Sequence, residues 1–311
     1  MVLLFINSAS PVVFGCSSFT LTSDERNFFE KNQPLGFILF QRNVKNKTQV
    51  KALIEELKST VKHPNPPILV DQEGGRVVRL KAPEWFNPPS SAELAKGDIE
   101  TAKKKVYEVY SRIAADLSEV GITVNCAPVL DLYVRDADPI MGDRTFSSNP
   151  EVVGELGQAA IQAMEEGGIT PVMKHIPGHG AAMCDSHEKL PVISLSLKEL
   201  RSHFDPFKMN HLCPAAMTAH IIYSTIDPLN PVTQSQVFIE EIIRCEIGFQ
   251  GFLMSDDLGM KALTGSFATR AHAALKAGCD AVLHCSGKMD EMIDVMKGVA
   301  PFSLFLKEKV E

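Results

Sequence analysis

The sequence predicts an α/β protein built as a single (β/α)8 barrel of the TIM type. Eight short apolar segments recur along the whole chain, and segments with apolar residues at helical spacing lie between them. The apolar segments lack polar alternation, which suits strands buried on both faces of a parallel sheet; an open doubly wound sheet is the alternative. The 311 residues, 45% of them hydrophobic, exceed the roughly 250 residues that such a barrel needs, so we expect one domain over residues 1–311.

The eight predicted strands are separated by intervals that leave room for helices. They are Pro11–Phe14, Gly36–Phe40, Pro67–Val70, Ile122–Leu130, Ile169–Met173, Ala215–Thr218, Gly251–Met254 and Asp280–Leu283. The fourth is the longest, and we expect it to bend. Only a short tail is expected after the eighth.

Seven helices are predicted between these strands from apolar residues spaced three and four apart. They are Ser23–Lys31, Thr48–Val61, Ile99–Val120, Pro150–Gly167, Ser196–Met209, Ser235–Glu246 and Ser266–Ala277. Thr22 or Ser23 suits the N-terminal cap of the first helix. Gly121, Gly167 and Gly278 suit helix ends close to the following strand.

Charge and cysteine content exclude several classes of protein. A net charge of −7, without a long run of Lys or Arg, argues against a nucleic-acid partner. The seven cysteines are odd in number and form no C-x-x-C pair, so we expect reduced thiols and a cytoplasmic protein. The apolar start Met1–Ile6 is short and uncharged, and no apolar run reaches ~18 residues, so we expect no secretion signal and no membrane partner.

Polar side chains follow seven of the predicted strands. They lie in Gln41–Asn43, in Asp71–Arg76 with Arg79, at Asp131, in Lys174–Gly180, in Thr218–His220, in Ser255–Asp257 and in His284–Ser286. Because the carboxyl ends of barrel strands meet at one face, we expect these side chains to surround one active site.

Six motifs, in this order along the chain, resemble the signatures of glycoside hydrolase family 3. They are Gly36–Asn43, Asp71–Leu80, Asn125–Leu132, Lys174–Gly180 with Asp185–His187, Met217–His220 and Ser255–Met260. The resemblance runs from about residue 11 to 286 and is closest to the single-domain bacterial β-N-acetylhexosaminidases of peptidoglycan recycling. It implies a retaining exo-β-N-acetylglucosaminidase that removes terminal N-acetylglucosamine from cell-wall (muropeptide) fragments. We expect a monomer whose partner is this small carbohydrate, with no metal and no organic cofactor.

Asp256 is the candidate nucleophile. Glycoside hydrolysis needs an acid for the leaving oxygen and a nucleophile or base for the anomeric carbon. By resemblance, the family nucleophile is the first Asp of Ser-Asp-Asp-Leu, and the buried strand before Asp256 is expected to hold it rigidly. Asp257 is expected to point elsewhere, because adjacent residues of an extended strand alternate in direction. A cap of the following helix is the alternative role for Asp257.

His187 and Asp185 are the candidate acid/base pair, since the resemblance implies a loop histidine in place of a second carboxylate. Asp185 is expected to accept a hydrogen bond from the imidazole, fix its tautomer and stabilise its charged form. Histidine ordinarily has a pKa of about 6.5, near working pH. The segment Ile176–Ser186 contains Pro and Gly and is not predicted to be a regular helix. We expect it to close over the substrate and bring His187 in.

The same segment contains a departure from the family pattern. After Gly180 the family often has Asp-Thr, whereas this chain has Ala181 and Ala182. The length of the loop to Asp185 is kept, so we expect the acid/base pair to be retained and the stability of the loop or the rate to differ.

Five residues are candidates for holding the sugar. Asp71 suits the hydroxyl groups at the far side of the non-reducing sugar, since a carboxylate accepts hydroxyl hydrogens. By resemblance, Arg79, Arg144, Lys174 and His175 contribute to the same subsite. The neighbouring polar groups are expected to be structural. These are a Glu73–Arg76 ion pair, His179 and His220 as partners of backbone or carboxylate groups, Asn43, Asp131, His284, and Trp85 in the packing of a Pro-rich loop.

Other functions remain open at this point. A family 3 β-glucosidase or a glycoside phosphorylase is the main alternative. Phosphorolysis stays open because a histidine acid/base leaves less negative charge to repel phosphate. A metal-dependent, amidohydrolase-like barrel is a further alternative; its candidate ligands are His175, His179, Asp185, His187 and His220. A sugar-binding protein without catalysis is a third.

Overall fold

The computed structural model of the chain describes residues 9–308, so Met1–Ile6 lies outside the described residues. Eight parallel strands close into a barrel. They are β1 (Ser10–Gly15), β2 (Pro34–Leu39), β3 (Ile68–Val70), β4 (Val124–Asn125), β5 (Thr170–Ile176), β6 (Ala215–Thr218), β7 (Phe252–Asp257) and β8 (Ala281–His284). Each strand pairs with its neighbours in the chain, and β8 returns to pair with β1. The predicted (β/α)8 barrel is confirmed, and the open sheet is excluded.

Eight helices cover the strands in turn, and a short additional helix, Ser91–Leu94, precedes the third of them. They are α1 (Ser23–Asn32), α2 (Lys47–Lys58), α3 (Ile99–Val120), α4 (Pro150–Glu166), α5 (Leu197–Met209), α6 (Phe238–Glu246), α7 (Phe267–Ala277) and α8 (Met289–Glu308). The seven predicted helices are all present. The eighth was not predicted, and it completes the last unit of the barrel where only a tail was expected.

Local sequence explains where several helices begin and end. The side chain of Thr22 accepts the Glu25 amide at 3.1 Å, and the Glu25 carboxylate accepts the Thr22 amide at 2.9 Å, so a capping box starts α1. Gly121 and Gly278 end α3 and α7 with positive φ angles of 87° and 117°, a conformation that glycine adopts without steric cost.

The barrel has an outer and an inner apolar layer because strand residues alternate in direction. On β1, Val12 and Phe14 pack between the sheet and the helices, whereas Val13 packs inside the barrel. Leu69 and Val172 fill the same interior from β3 and β5. The interior is therefore a packed core, and the polar side chains of the site lie above it, at the carboxyl ends of the strands.

The fourth strand bends as expected. Regular pairing covers only Val124–Asn125, and the chain meets β5 again at Val129, opposite Lys174. Two short ribbons lie outside the barrel; Gln72–Gly74 pairs with Val77–Val78, and Val192–Ile193 pairs with Ile222–Tyr223. The first ribbon borders the site described below.

Two further expectations concern membranes and thiols. Within residues 9–308, no helix is both long and apolar enough to cross a membrane. All seven cysteines are free thiols, and five of them are buried. The thiols agree with the expectation of reduced, mostly buried cysteines.

Candidate active site

The carboxyl ends of the strands surround a pocket of about 320 Å³. Small-molecule sites typically have about 300–1,000 Å³, so this pocket suits one small ligand. Seven of the eight predicted site residues line it, namely Asp71, Arg79, Arg144, Lys174, His175, His187 and Asp256. The eighth, Asp185, is hydrogen-bonded to His187.

Strand alternation explains why Lys174 and Asp256 face the pocket. Val172 on β5 and Met254 on β7 both point into the barrel interior. Lys174 and Asp256 each lie two residues further along, on the same face of their strands. The apolar residue fills the barrel, and the polar residue above it reaches the pocket.

Asp71 is held as a carboxylate by two cations. Lys174 Nζ lies 2.9 Å from its Oδ1, and Arg79 Nη2 lies 3.0 Å from its Oδ2. Burial favours the neutral acid, but the two cations hold the pKa of Asp71 well below its usual range. Each carboxylate oxygen has two lone pairs, so Asp71 keeps the capacity to accept hydroxyl hydrogens from a ligand.

Glu73 forms the second half of this ionic cluster. Its carboxylate is bound by Arg144 through two hydrogen bonds of 2.9 Å, and Lys174 Nζ lies 2.7 Å from its Oε1. Burial opposes ionisation, yet Arg144 and Lys174 lower the pKa of Glu73 to about 2. Lys174 therefore joins both carboxylates, and Glu73 fixes the plane of the Arg144 guanidinium at the pocket wall.

The prediction of an ion pair between Glu73 and Arg76 is wrong. Arg76 Nε lies 3.0 Å from Asp143 Oδ1 instead, and both side chains are half exposed. The reason is the turn at Gly74–Gly75, where both residues have positive φ angles. Glu73 precedes this turn and is buried, whereas Arg76 follows it and reaches the rim of the pocket.

Asp131 orients His175 at the end of β5. The fully buried Asp131 carboxylate lies 2.7 Å from His175 Nδ1 and accepts the backbone amides of His175 and His179. Burial opposes its ionisation, but the contact with His175 lowers the pKa of Asp131. An ionised carboxylate only accepts, so Nδ1 carries the hydrogen and Nε2 is the ring atom left for a ligand. The structural role expected for Asp131 agrees with these contacts.

Asp256 lies among imidazoles at the end of β7. Desolvation raises the pKa of its carboxyl, but His175, His220 and the hydrogen bond from the Asp257 amide outweigh it and lower this pKa overall. The Asp257 amide donates to Asp256 Oδ1 at 2.7 Å. Asp256 is therefore ionised and oriented, as a carboxylate that attacks an electrophilic carbon must be.

The neighbouring Asp257 carboxylate has other partners. It accepts the amides of Gly259 at 2.9 Å and Cys285 at 3.0 Å, so it caps the turn after β7 and ties that turn to the end of β8. Although Asp257 also borders the pocket, these contacts fit the expectation that its carboxylate points away from that of Asp256.

His187 and Asp185 form a hydrogen-bonded pair. Asp185 Oδ1 lies 2.8 Å from His187 Nδ1 and also accepts the His187 amide at 2.8 Å. Partial burial opposes ionisation, but these hydrogen bonds lower the pKa of Asp185. The carboxylate therefore fixes the hydrogen on Nδ1 and leaves Nε2 free to exchange a proton.

The loop that carries this pair is docked against the loop after β7. The Ala262 amide donates to the Ser186 carbonyl at 3.2 Å, and the Lys261 amide donates to the His187 carbonyl at 3.3 Å. The buried Ser186 hydroxyl lies 2.9 Å from His179 Nε2. These contacts hold His187 at the pocket that contains Asp256. As expected, no regular helix forms over residues 177–186.

Three further histidines, His179, His220 and His284, lie behind the pocket. His220 Nε2 lies 3.0 Å from the Asp257 carbonyl oxygen. His284 is fully buried, 3.2 Å from Glu291. His179 and His220 have lowered pKa values, chiefly because burial disfavours the charged ring; that of His179 falls to about 4. Both are neutral at pH 7. His220 contacts a backbone carbonyl oxygen, as expected, whereas the partner of His179 is the Ser186 hydroxyl rather than a backbone or carboxylate group.

Trp85 and Asn43 are structural as well. Trp85 is buried in the apolar layer and does not border the pocket described above. The Asn43 side-chain amide donates to the carbonyl oxygens of Cys16 and Ser18, at 3.0 Å and 2.8 Å. The two residues stabilise the loops that follow β1 and β3.

The proposed metal site finds no support in the geometry. Over residues 9–308, no three His, Cys, Asp or Glu side chains are grouped so that they can hold a metal ion. His175 is committed to Asp131, His179 to Ser186, and His187 to Asp185. The candidate ligands are thus divided among separate partners.

Sequence reasoning assigned Glu73 the wrong partner and did not foresee the contact of Ser186 with His179. The signal for Glu73 was its position in the motif Asp71–Leu80, two residues after Asp71. On an extended segment such residues share a face, which places Glu73 beside Asp71. No signal was available for Ser186, because its contact depends on how the loop folds back.

Comparison with known proteins identifies the family of the chain. The family model of the glycosyl hydrolase family 3 N terminal domain matches residues 12–304. A beta-hexosaminidase from Shewanella frigidimarina is 37% identical over 288 residues, which cover 89% of this chain and 82% of that protein. A beta-hexosaminidase from Neisseria meningitidis serogroup B is 36% identical over 286 residues, covering 89% and 78%.

Solved structures give the same result. The crystal structure of NagZ from Neisseria gonorrhoeae in complex with N-trifluoroacetyl-D-glucosamine is 34% identical, with a TM-score of 0.85 over 93% of this chain and 85% of that one. A glycoside hydrolase family 3 beta-N-acetylglucosaminidase from Paenibacillus sp. str. FPU-7 is 27% identical, with a TM-score of 0.84 over 98% and 62%. With the barrel, the site and these relatives in agreement, the chain belongs to glycosyl hydrolase family 3.

Proposed function

We propose that this glycoside hydrolase is a retaining exo-β-N-acetylglucosaminidase that removes terminal N-acetylglucosamine from muropeptide fragments of the cell wall. The observation that carries the proposal is the pairing of two groups at one pocket: the ionised Asp256 and the hydrogen-bonded His187–Asp185 pair. The relatives named beta-hexosaminidase and the NagZ complex with an N-acylglucosamine support the choice of sugar.

The ionic cluster binds the non-reducing sugar. Asp71 accepts hydroxyl hydrogens, while Arg79, Lys174 and Arg144 donate to hydroxyl oxygens from the same wall. His175 donates or accepts through Nε2, since its Nδ1 is bound to Asp131. The salt bridges fix all these groups before substrate arrives, so little ordering remains to be done on binding.

Asp256 acts in the first half-reaction. Its carboxylate oxygen attacks the anomeric carbon, the bond from that carbon to the leaving oxygen breaks, and the leaving oxygen takes a proton from Nε2 of the His187 imidazolium. The products are a glycosyl ester on Asp256, the free aglycone and a neutral His187. Asp185 keeps the hydrogen on Nδ1, so Nε2 is the atom that gives up its proton.

His187 acts as the base in the second half-reaction. Neutral Nε2 takes a proton from water, the water oxygen bonds to the anomeric carbon, and the bond to the Asp256 oxygen breaks. The carboxylate returns with both electrons of that bond, and the sugar leaves with the configuration of the substrate. The nucleophile Asp256 and the acid/base His187 both lie at the carboxyl face of the barrel, so the mechanism as written uses no group from a second domain, no metal and no organic cofactor.

The proposal also covers the cellular compartment and the oligomeric state. Muropeptide fragments are expected in the cytoplasm, where the reduced thiols of this chain are stable. One barrel carries every proposed group, so a monomer is sufficient for activity.

Hydrolysis of an aryl β-N-acetylglucosaminide by the wild type, Asp256→Ala and His187→Ala tests these roles. We expect Asp256→Ala to lose activity by at least about 10³-fold, since the covalent step is removed. We expect His187→Ala to lose about 10²-fold, and azide to restore its turnover because azide needs no base. Full activity of Asp256→Ala would show that the nucleophile is another residue.

Trapping tests the retaining mechanism and the substrate. A 2-fluoro or 5-fluoro glycoside is expected to label Asp256, and a label elsewhere contradicts the mechanism. Turnover of aryl glucoside alone would favour a β-glucosidase. Release of sugar 1-phosphate in phosphate buffer would favour a phosphorylase.

A further inference from the structure

Asp257, which follows the proposed nucleophile, is held by contacts to all of its polar groups. Its amide donates to Asp256 Oδ1 at 2.7 Å, and its carboxylate accepts the amides of Gly259 and Cys285. Its carbonyl oxygen lies 3.0 Å from His220 Nε2. The orientation of the Asp256 carboxylate therefore depends on how firmly the Asp257 backbone is anchored.

The carbonyl contact fixes the hydrogen of the His220 ring. A carbonyl oxygen only accepts, so Nε2 must donate. Nδ1 lies 2.7 Å from Thr233 Oγ1, which lies 2.8 Å from Thr218 Oγ1. A neutral ring with its hydrogen on Nε2 accepts at Nδ1, so Thr233 donates to His220 and Thr218 donates to Thr233.

The other possible state of the ring is an imidazolium. Thr233 Oγ1 also lies 3.1 Å from the Ala219 carbonyl oxygen, and a charged ring that donates from Nδ1 would turn the Thr233 hydroxyl toward that oxygen. The ring is fully buried, and this burial lowers the pKa of His220. The charged groups that oppose this effect are Asp256 and Asp257 on β7, whereas His175 on β5 adds to it. The Thr233 hydroxyl lies closer to Nδ1, at 2.7 Å, than to the Ala219 carbonyl oxygen, at 3.1 Å, which favours donation to a neutral ring, and the lowered pKa agrees.

We propose that His220 is a positioning residue for the nucleophile. The hydroxyls of Thr218 and Thr233 hold it as the neutral Nε2–H tautomer, and this tautomer anchors the Asp257 carbonyl group. The anchored backbone keeps the Asp257 amide aimed at Asp256 Oδ1. The ring donates this hydrogen bond without placing a positive charge behind the carboxylate that must attack. The inference rests on the proposed role of Asp256 as nucleophile.

Nuclear magnetic resonance of ¹⁵N-histidine-labelled protein reads the tautomer without using activity. The His220 signals, assigned by their loss in His220→Gln, are expected to show a neutral Nε2–H ring at pH 7. Thr233→Val is expected to shift the His220 Nδ1 resonance, because its donor is removed. An imidazolium or an Nδ1–H pattern overturns the proposal.

Kinetics test the positioning role through a rescue. We expect His220→Leu to lower kcat on the aryl β-N-acetylglucosaminide by about 10-fold or more with KM little changed, since one buried hydrogen bond is lost next to the nucleophile. His220→Gln can still donate from its side-chain amide and is expected to recover most of kcat. Thermal unfolding of both variants checks the fold. Equal losses in two folded variants overturn the proposal.

A matched control separates this hydrogen-bond chain from general Thr→Val effects. Thr233→Val is expected to lower kcat several-fold. Thr225→Val removes a hydroxyl that donates to the Leu195 carbonyl outside the site, and it is expected to leave kcat unchanged. Fluoro-glycoside trapping on the wild type tests the nucleophile separately from the role of His220. A label away from Asp256 refutes the proposed function. The His220 tautomer is measured by nuclear magnetic resonance and does not depend on that result.

Discussion

At the scale of the residue, the site depends on buried charges that have partners. Lys174 lies 103 positions after Asp71 in the sequence, yet its ammonium group joins Asp71 to Glu73. A buried ion pair is costly to break, because the charge that remains is left without compensation. The sequence indicated that Asp71, Lys174 and Arg144 belong together, but the pairing of Glu73 required the turn geometry at Gly74–Gly75.

We expect Glu73→Gln to lower the free energy of unfolding by about 3 kcal/mol at pH 7, since it leaves Arg144 and Lys174 short of one carboxylate. The pKa of Glu73 is lowered from 4.5 to about 2 in the folded chain. Its stabilisation is therefore fully present above about pH 4.5 and is lost as the pH falls toward 2. Urea unfolding at several pH values is expected to show the wild type and Glu73→Gln converging below about pH 4.5.

The control for this prediction is a carboxylate at the surface. Glu188 pairs with Lys261, and both side chains are about two-thirds exposed, at 69% and 67%. Glu188→Gln is expected to change the free energy of unfolding by less than about 1 kcal/mol. A difference between wild type and Glu73→Gln that stays constant from pH 7 to pH 3 would contradict the assignment.

At the scale of the element, the loop that carries His187 is the decisive unit. Its docked position depends on the Ser186 hydroxyl, which lies 2.9 Å from His179 Nε2, and on two amides of the loop after β7. The sequence predicted an irregular loop from its Pro and Gly residues. It did not reveal the docking, because Ser186 meets His179 only when the loop folds back on itself, and the two amides lie on another strand–helix connection.

We expect Ser186→Ala to lower kcat by roughly 5- to 10-fold, since about 1 kcal/mol of hydrogen bonding no longer holds His187 at the pocket. KM is expected to change little, because the sugar is bound by the separate cluster around Asp71. Steady-state kinetics on the aryl β-N-acetylglucosaminide measure both constants.

The matched control lies on the same loop. The Cys184 thiol lies 3.9 Å from the Lys189 carbonyl oxygen, a weak contact at the surface. Cys184→Ser is expected to keep the wild-type kcat. Equal kcat for Ser186→Ala and wild type would mean that the hydroxyl does not hold the loop.

Two helices, α6 and α8, differ from what the sequence pattern predicted. α6 was predicted from Ser235 but begins at Phe238 and winds as a π-helix, with wider turns than an α-helix. α8 was not predicted, although Met292, Val295 and Val299 recur at helical spacing and are buried. A tail was expected because the eighth strand completed the count of strands. The last strand, however, needs a helix to cover its outer face, as the other strands do.

At the scale of the whole molecule, closure of the barrel brings the site together. β1 pairs with β8 through Val13 and Leu283, residues from opposite ends of the chain. α8 then packs on α7, where Gly298 faces the backbone of Ala268.

We expect Gly298→Ala to destabilise the fold by about 2 kcal/mol, since overpacking costs typically 1–3 kcal/mol. A Cβ at this position would lie 2.1 Å from the Ala268 carbonyl oxygen, so α7 and α8 would have to separate. Helix propensity alone gives the opposite sign, because alanine favours a helix by about 1 kcal/mol over glycine. The free energy of unfolding, measured by urea titration, shows whether overpacking or helix propensity dominates.

The exposed neighbour Lys297 supplies the control. Lys297→Ala removes one surface ion pair and is expected to stay within about 0.5 kcal/mol of the wild type. A Gly298→Ala variant more stable than the wild type would mean that the close contact of α7 with α8 does not limit stability.

The sequence by itself determined the class of fold, the order of its strands and the residue types available for chemistry. Apolar runs such as Gly36–Phe40 and Ala215–Thr218 indicate strands that are buried on both faces, because such burial requires apolar residues at successive positions of one short segment. The tertiary structure alone decided which charges meet. Glu73 with Arg144 and His220 with Asp257 are contacts between distant segments, and Ser186 with His179 is a contact within one folded-back loop. Such contacts depend on the register of a closed barrel and on loop geometry, and neither of these produces a periodic pattern in the sequence.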